Sequence, residues 1–148
     1  MFRRRIIASG LTYEQVIAAI SYTGTMSSSE VTYSASGKYA VIKFLTSGTL
    51  TLSKALEADI FLVGGGGSGA STSATSSGRG GGGGGRTSTI RALKLFKNAS
   101  YPIVIGAGGA SVGGNDNMEG SRAGQSGGTT KFNVVHTAIG GNGAPDNI

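Results

Sequence analysis

The chain has 148 residues, 28 of them glycine, two proline and none cysteine, with 14% charged residues and a formal net charge of +6. The absence of cysteine excludes a disulfide or thiolate–metal framework, and scarce proline without a Gly-X-Y period excludes a collagen helix. Blocks rich in β-branched and aromatic residues at 39–45, 60–63, 90–96 and 101–105 argue against general disorder, so one domain with a short appendage is expected.

Residues 1–10 read as a basic arm. Ser9, Gly10, Thr12, Glu14 and Gln15 interrupt any apolar run there, so no secretory leader is read. No apolar stretch reaches the ~18 residues of a membrane span. Arg3, Arg4 and Arg5 suit bidentate bonds to carboxylates, and Phe2, Ile6 and Ile7 can fill apolar pockets beside them. The six together are candidates for anchoring the chain to a larger protein.

Residues 11–21 predict a short helix and connector. Thr12 and Gln15 fit a capping box, while Tyr13, Ile17 and Ile20 follow helical spacing. That stripe is a candidate oligomer seam, with a homotrimer as the expected assembly.

From residue 22 onward a glycine-rich β domain is expected. The predicted strands are 31–34, 38–46, 49–52, 58–63, 87–97, 101–105 and 129–135. In the second of these, Ala40, Ile42 and Phe44 share one face and Tyr39, Val41 and Leu45 the other, as for a strand covered on both sides. In 87–97, Ile90, Ala92 and Phe96 share a face. A polar loop is predicted over 113–128. Strands give way to glycine runs after Val63, after Ile105 and after Ile139, an organisational repeat without a fixed period.

The motifs that could carry chemistry are weak. Gly64, Gly66 and Gly69 have G-x-G-x-x-G spacing after a strand, but residues 70–77 lack the apolar periodicity of the required helix, and no acidic residue follows before Asp116. Arg79-Gly80-Gly81 is one RGG, where RNA-binding tracts hold many. Asn115, Asp116, Asn117 and Glu119 offer oxygen ligands, but in one copy that reads as a polar turn. His136 is the only histidine and has no acid near it in sequence. No catalytic group, cofactor or metal site is therefore expected.

Glycine runs bracketed by compact strands can order as polyproline-II-like helices, packed closely because no Cβ separates the backbones. Substitution of Gly82 and Gly83 by alanine would then destabilise the fold.

The words Tyr22-Thr-Gly-Thr-Met, Tyr39-Ala-Val-Ile-Lys-Phe, Ser47-Gly-Thr-Leu-Thr-Leu, LVGGGG (62–67), YPIVIGAGG (101–109) and Gly127-Gly-Thr-Thr-Lys-Phe occur in this order. Together, over about 22–143, they resemble the glycine-rich domain of bacteriophage and prophage tail, fibre and adhesin proteins. Phe2-Arg-Arg-Arg-Ile-Ile also resembles short N-terminal peptides on some gut-phage virion proteins. The resemblance implies a mainly β fold, a small glycine-rich sandwich or roll with partly ordered polyglycine segments. It implies a virion structural protein, in a tail or head fibre or appendage, made in the host cytoplasm and assembled into the particle. The implied partners are other virion proteins, further copies of the chain, and a bacterial surface glycan or protein. Arg79, Arg86, Asn115, Asp116, Asn117 and Arg122 are the receptor-contact candidates in its glycine-rich loops. The runs here are shorter and more broken than in such adhesins, so only part of a polyglycine lattice is expected. The alternatives are a purely architectural virion protein and a basic nucleic-acid-binding protein using Arg3, Arg4, Arg5 and Arg79.

Overall fold

The computed structural model describes residues 11–32, 38–71, 80–113 and 122–145. The chain is mainly β, with antiparallel strand pairs and one short N-terminal helix. Helix α1 (Tyr13–Ala18) starts at Thr12, whose Oγ1 accepts the Gln15 N–H at 3.2 Å while the Thr12 N–H donates to Gln15 Oε1 at 3.0 Å. This is the capping box read from the sequence. The helix stops sooner than the predicted 11–21, because Ile20 enters strand β1 (Ile20–Tyr22) opposite Leu52. A ladder bond on a formed strand outweighs one more turn of a helix too short to be stable alone.

The remaining strands are β2 (Met26–Thr32), β3 (Lys38–Phe44), β4 (Gly48–Leu52), β5 (Leu56–Val63), β6 (Thr87–Leu95), β7 (Ser100–Val104), β8 (Thr130–Phe132) and β9 (His136–Ala138). They form a five-stranded sheet in the order β1-β4-β7-β8-β9 and two pairs, β2-β3 and β5-β6. The chain divides into two units. One comprises 1–62, 88–104 and 131–136, the other 63–87, 105–130 and 137–148.

The first unit carries the apolar core. Strand β5 alternates strictly, burying Leu56, Ala58, Ile60 and Leu62. Ala40, Ile42 and Phe44 of β3 are buried with Leu50, Leu52, Ile103 and Phe132. One aromatic contact joins two sheets, Tyr22 of β1 to Phe44 of β3 at 4.6 Å between ring centroids, and another joins neighbouring strands of one sheet, Tyr101 of β7 stacked on Phe132 of β8 at 5.7 Å. The other face of β3 differs from expectation. Tyr39 and Val41 are half-buried and Leu45 is exposed, so the strand is covered on one side within the chain.

Strand β6 also departs from its predicted face. Ser88 and Ile90 are half-buried, Arg91 and Ala92 are both exposed, and then Leu93 and Leu95 turn inward. Ala92 has φ 51° and its N–H donates to Asp59 Oδ1 at 2.8 Å. A bulge at this point shifts the alternation by one residue. Leu95 is thereby buried, and Phe96 is left exposed. The last predicted strand, 129–135, is interrupted in the same way. Asn133 and Val134 have φ 49° and 61°, turning the chain after β8 into β9.

The second unit contains almost no large apolar side chain. It is built of five glycine-rich segments: 64–71, 80–86, 105–113, 122–129 and 139–145, called here the first to the fifth. In sequence each directly follows or precedes a strand.

Candidate functional site

Hydrogen bonds in the first segment repeat every three residues. Gly64, Gly67 and Ala70 donate to Arg86, Gly83 and Gly80 of the second segment at 2.9, 2.8 and 3.2 Å. Gly65, Ser68 and Ser71 donate to Gly128, Gln125 and Arg122 of the fourth at 2.9, 2.8 and 3.0 Å. The carbonyls of Gly65 and Ser68 accept from Gly141 and Ala144 of the fifth, and that of Gly66 accepts from Gly109 of the third. Three residues per turn with every bond going to a neighbouring segment is the polyproline-II pattern, since that helix has no internal hydrogen bond.

The outer segments also bond one another. Gly83 and Arg86 donate to Asn142 and Ile139, Gly124 and Gly127 to Ala144 and Gly141, and Gly128 to Ala107. The first segment is therefore central, with the second, fifth, fourth and third arranged in that order around it. The lattice is fuller than the broken glycine runs suggested, because Ser68, Ala70, Ala107 and Gln125 take places in it. Residues 122–128 of the fourth segment lie within the predicted polar loop 113–128, which is corrected accordingly.

Close approach is what demands glycine. No described glycine has a left-handed φ. In each segment, however, two glycines three apart have a Cβ position well inside van der Waals contact with a facing backbone atom: 64 and 67, 82 and 85, 106 and 109, 124 and 127, 140 and 143, with Gly65 and Gly141 besides. That G-x-x-G spacing was present in the sequence. It is the signal that would have located the third, fourth and fifth segments. Gly83 is not among these positions, since its nearest neighbours would lie at 3.4 and 3.5 Å, so the expectation for Gly83 is corrected.

Hydroxyls complete the network where the amides cannot. Thr130, buried, donates from Oγ1 to Val63 O at 2.6 Å and accepts the Gly106 N–H at 3.0 Å. Ser68 Oγ accepts from Gln125 N at 2.8 Å, and Ser126 Oγ from Gly143 N at 3.2 Å.

A model of the glycine-rich domain family matches residues 45–148. The chain belongs to that family. All five segments lie within the matched part of the glycine-rich domain, while α1 and β1 to β3 precede it. No curated protein and no solved structure matches the chain.

Ser71 pairs with Arg122 in both directions, and Gly80 and Ala144 lie beside Ala70 and Gly124. These residues mark one end of the bundle. Arg122 is exposed there. Arg86 is also exposed but sits at the other end, next to Gly64. Between Gly64 and Ser71 the rise of about 3.1 Å per residue amounts to roughly 20 Å, so the two arginines are separated by the length of the bundle. Arg79, Asn115, Asp116 and Asn117 lie outside the described residues, as do Phe2, Arg3, Arg4, Arg5, Ile6 and Ile7.

Among the seam candidates, Tyr13 and Ile17 are half-buried on α1, and Ile20 lies beyond the helix in β1. The Tyr13 hydroxyl donates to Ser28 Oγ at 2.9 Å. Val16 and Ala19 are the residues this region buries. His136 opens β9, half-buried, and among the described residues no group of three His, Cys, Asp or Glu could hold a metal ion. No helix among the described residues is long and apolar enough to cross a membrane.

Proposed function

We propose that the chain is a non-enzymatic structural component of a bacteriophage virion, in a tail or head fibre or appendage, with host-surface binding at the far end of its glycine bundle. The strand words that resemble phage tail, fibre and adhesin domains motivate the reading. The observation that carries it is the one-ended layout of the bundle. The chain leaves the first segment after Ser71, returns at Gly80, and comes back again at Arg122, all at the end marked by the Ser71–Arg122 pair. Five backbones locked by mutual hydrogen bonds offer no catalytic side chain. They do offer a rigid support on which sequence at one end can vary without disturbing the fold.

In this reading residues 1–9 anchor the chain to a larger virion protein. A chain lacking residues 1–9 should fold, keep its β signature in circular dichroism, and be missing from purified particles. Arg122→Ala should weaken adsorption of the recombinant protein to host cells while its circular dichroism spectrum stays that of the folded wild type. Normal incorporation of the truncated chain would overturn the anchor. Absence of the full-length chain from purified particles would overturn the virion assignment itself. Salt-sensitive binding to random DNA would instead favour nucleic acid as partner.

A further inference from the structure

Steric need accounts for only some of the glycines in the bundle. At Gly81 and Gly84 a Cβ would meet nothing within 4 Å. At Gly66 its nearest neighbour would be Gly83 O at 3.8 Å, and at Gly108 it would be Gly66 O at 3.7 Å. None of these has a left-handed φ, so alanine would fit each backbone and would reduce the entropy of the unfolded chain. Exposed positions elsewhere on the bundle do carry side chains, as Ala110, Ala123 and Ser126 show.

The bare positions form one surface. The Cβ position of Gly69 is 3.9 Å from Gly81 Cα, and Gly66 lies between Gly83 of the second segment and Gly109 of the third. The first segment donates to its neighbours from two of its three stripes, and from the third only the Gly66 carbonyl is used, by Gly109. The third stripe, Gly66 and Gly69, is exposed, and its N–H groups donate to no described residue. Gly81 and Gly84 likewise neither donate nor accept a backbone bond among the described residues. Six equal cylinders close a full ring around a central one. Here four are present, and the ring is open by two places between the second and third segments, which no bond joins among the described residues.

The geometry points to a second copy of this chain entering that gap, its own second segment laid against Gly66 and Gly69 in the place beside the second segment. The second segment is the fitting occupant because its outward stripe, Gly81 and Gly84, is itself bare and has free peptide groups at the same three-residue spacing. Each copy supplies both a row and a gap, so a twofold pair can exchange them. The bonds are those already used inside the bundle, N–H···O=C and Cα–H···O between backbones in close approach. A Cβ on either row would hold the two apart. This surface does not depend on the virion assignment.

Sedimentation equilibrium of the full chain tests it. The wild type should self-associate. The Gly81→Ala/Gly84→Ala variant should raise the dissociation constant at least tenfold, with an unchanged circular dichroism spectrum and a melting temperature in dilute solution slightly above that of the wild type. A second measurement needs no substitution: amide hydrogen exchange of the wild type across the association range. Slower exchange at Gly66, Gly69, Gly81 and Gly84 is expected as the concentration rises, and this result decides the matter if the alanine variant misfolds. A wild type that stays monomeric, even one that captures a foreign glycine-rich peptide, overturns the proposal. So does a double variant that associates as the wild type does, or an exchange rate at these four glycines that is independent of concentration.

Discussion

Gly85→Ala and Gly81→Ala differ by four positions in one run of glycines, yet they should move stability in opposite directions. At Gly85 a Cβ would fall well inside van der Waals contact with Gly64 O. A carbon–oxygen contact needs about 3.3 Å or more, so the second segment must retreat by on the order of 1 Å. That breaks or stretches the bonds from Gly64 to Arg86 at 2.9 Å and from Gly67 to Gly83 at 2.8 Å. Each lost bond costs about 1 kcal/mol, and Gly64 is buried, so its orphaned N–H adds about 1–3 kcal/mol. The alanine lowers unfolded-state entropy by an amount worth about 0.4–1 kcal/mol, which offsets part of this. The net loss is roughly 2–4 kcal/mol. For a chain of this size that lowers the melting temperature by roughly 5–15 °C. At Gly81 only the entropic gain of about 0.4–1 kcal/mol remains, because nothing lies within 4 Å. Calorimetric melts of both variants in dilute solution decide the question. Gly85→Ala melting at or above the wild type would refute the packing argument, as would Gly81→Ala falling as far as Gly85→Ala.

Phe44→Ala should cost about 3–5 kcal/mol in urea unfolding, because the ring is buried and packs on Tyr22 at 4.6 Å. An unchanged midpoint would remove β3 from the core. Thr130→Val keeps the shape but strips the hydroxyl that serves both Val63 O and Gly106 N. A loss of about 2–4 kcal/mol is expected from the two unpaired groups. Burial raises the Tyr22 phenol above its ordinary value of 10.0, and its hydroxyl donates to Thr46 O at 2.6 Å. The stability this contributes is complete below pH about 10 and is lost as the pH rises through the higher folded value, because the unfolded chain ionises first. Chemical denaturation across that alkaline range should show a decline that Tyr22→Phe flattens.

The strand words were readable because they obey period two. Ala40, Ile42 and Phe44, and the alternation at Thr49-Leu50-Thr51-Leu52, needed nothing beyond side-chain hydrophobicity to place them. The capping box at Thr12 and Gln15 was equally local. Where the reading failed, a partner distant in sequence decided the outcome. Ile20 left the helix for Leu52, thirty-two residues on. Asp59 captured the Ala92 N–H and reversed the inward face of β6, burying Leu95 in place of Phe96. The short turn strands β1, β8 and β9 are each three residues long, too short for a period to register.

The sequence by itself determined that the chain is mainly β, that its strands are separated by glycine-rich stretches, and that part of those stretches is ordered. All three follow from local chemistry: side-chain alternation, capping, and backbones without Cβ. Only the tertiary structure decided which glycines matter. Gly82 and Gly81 are neighbours with the same residue type, but one faces Gly67 O and the other faces open space. A glycine has no side chain to reveal its facing. In a helix of three residues per turn, that facing is fixed solely by which backbones lie alongside, and those come from segments as far apart as residues 64 and 139.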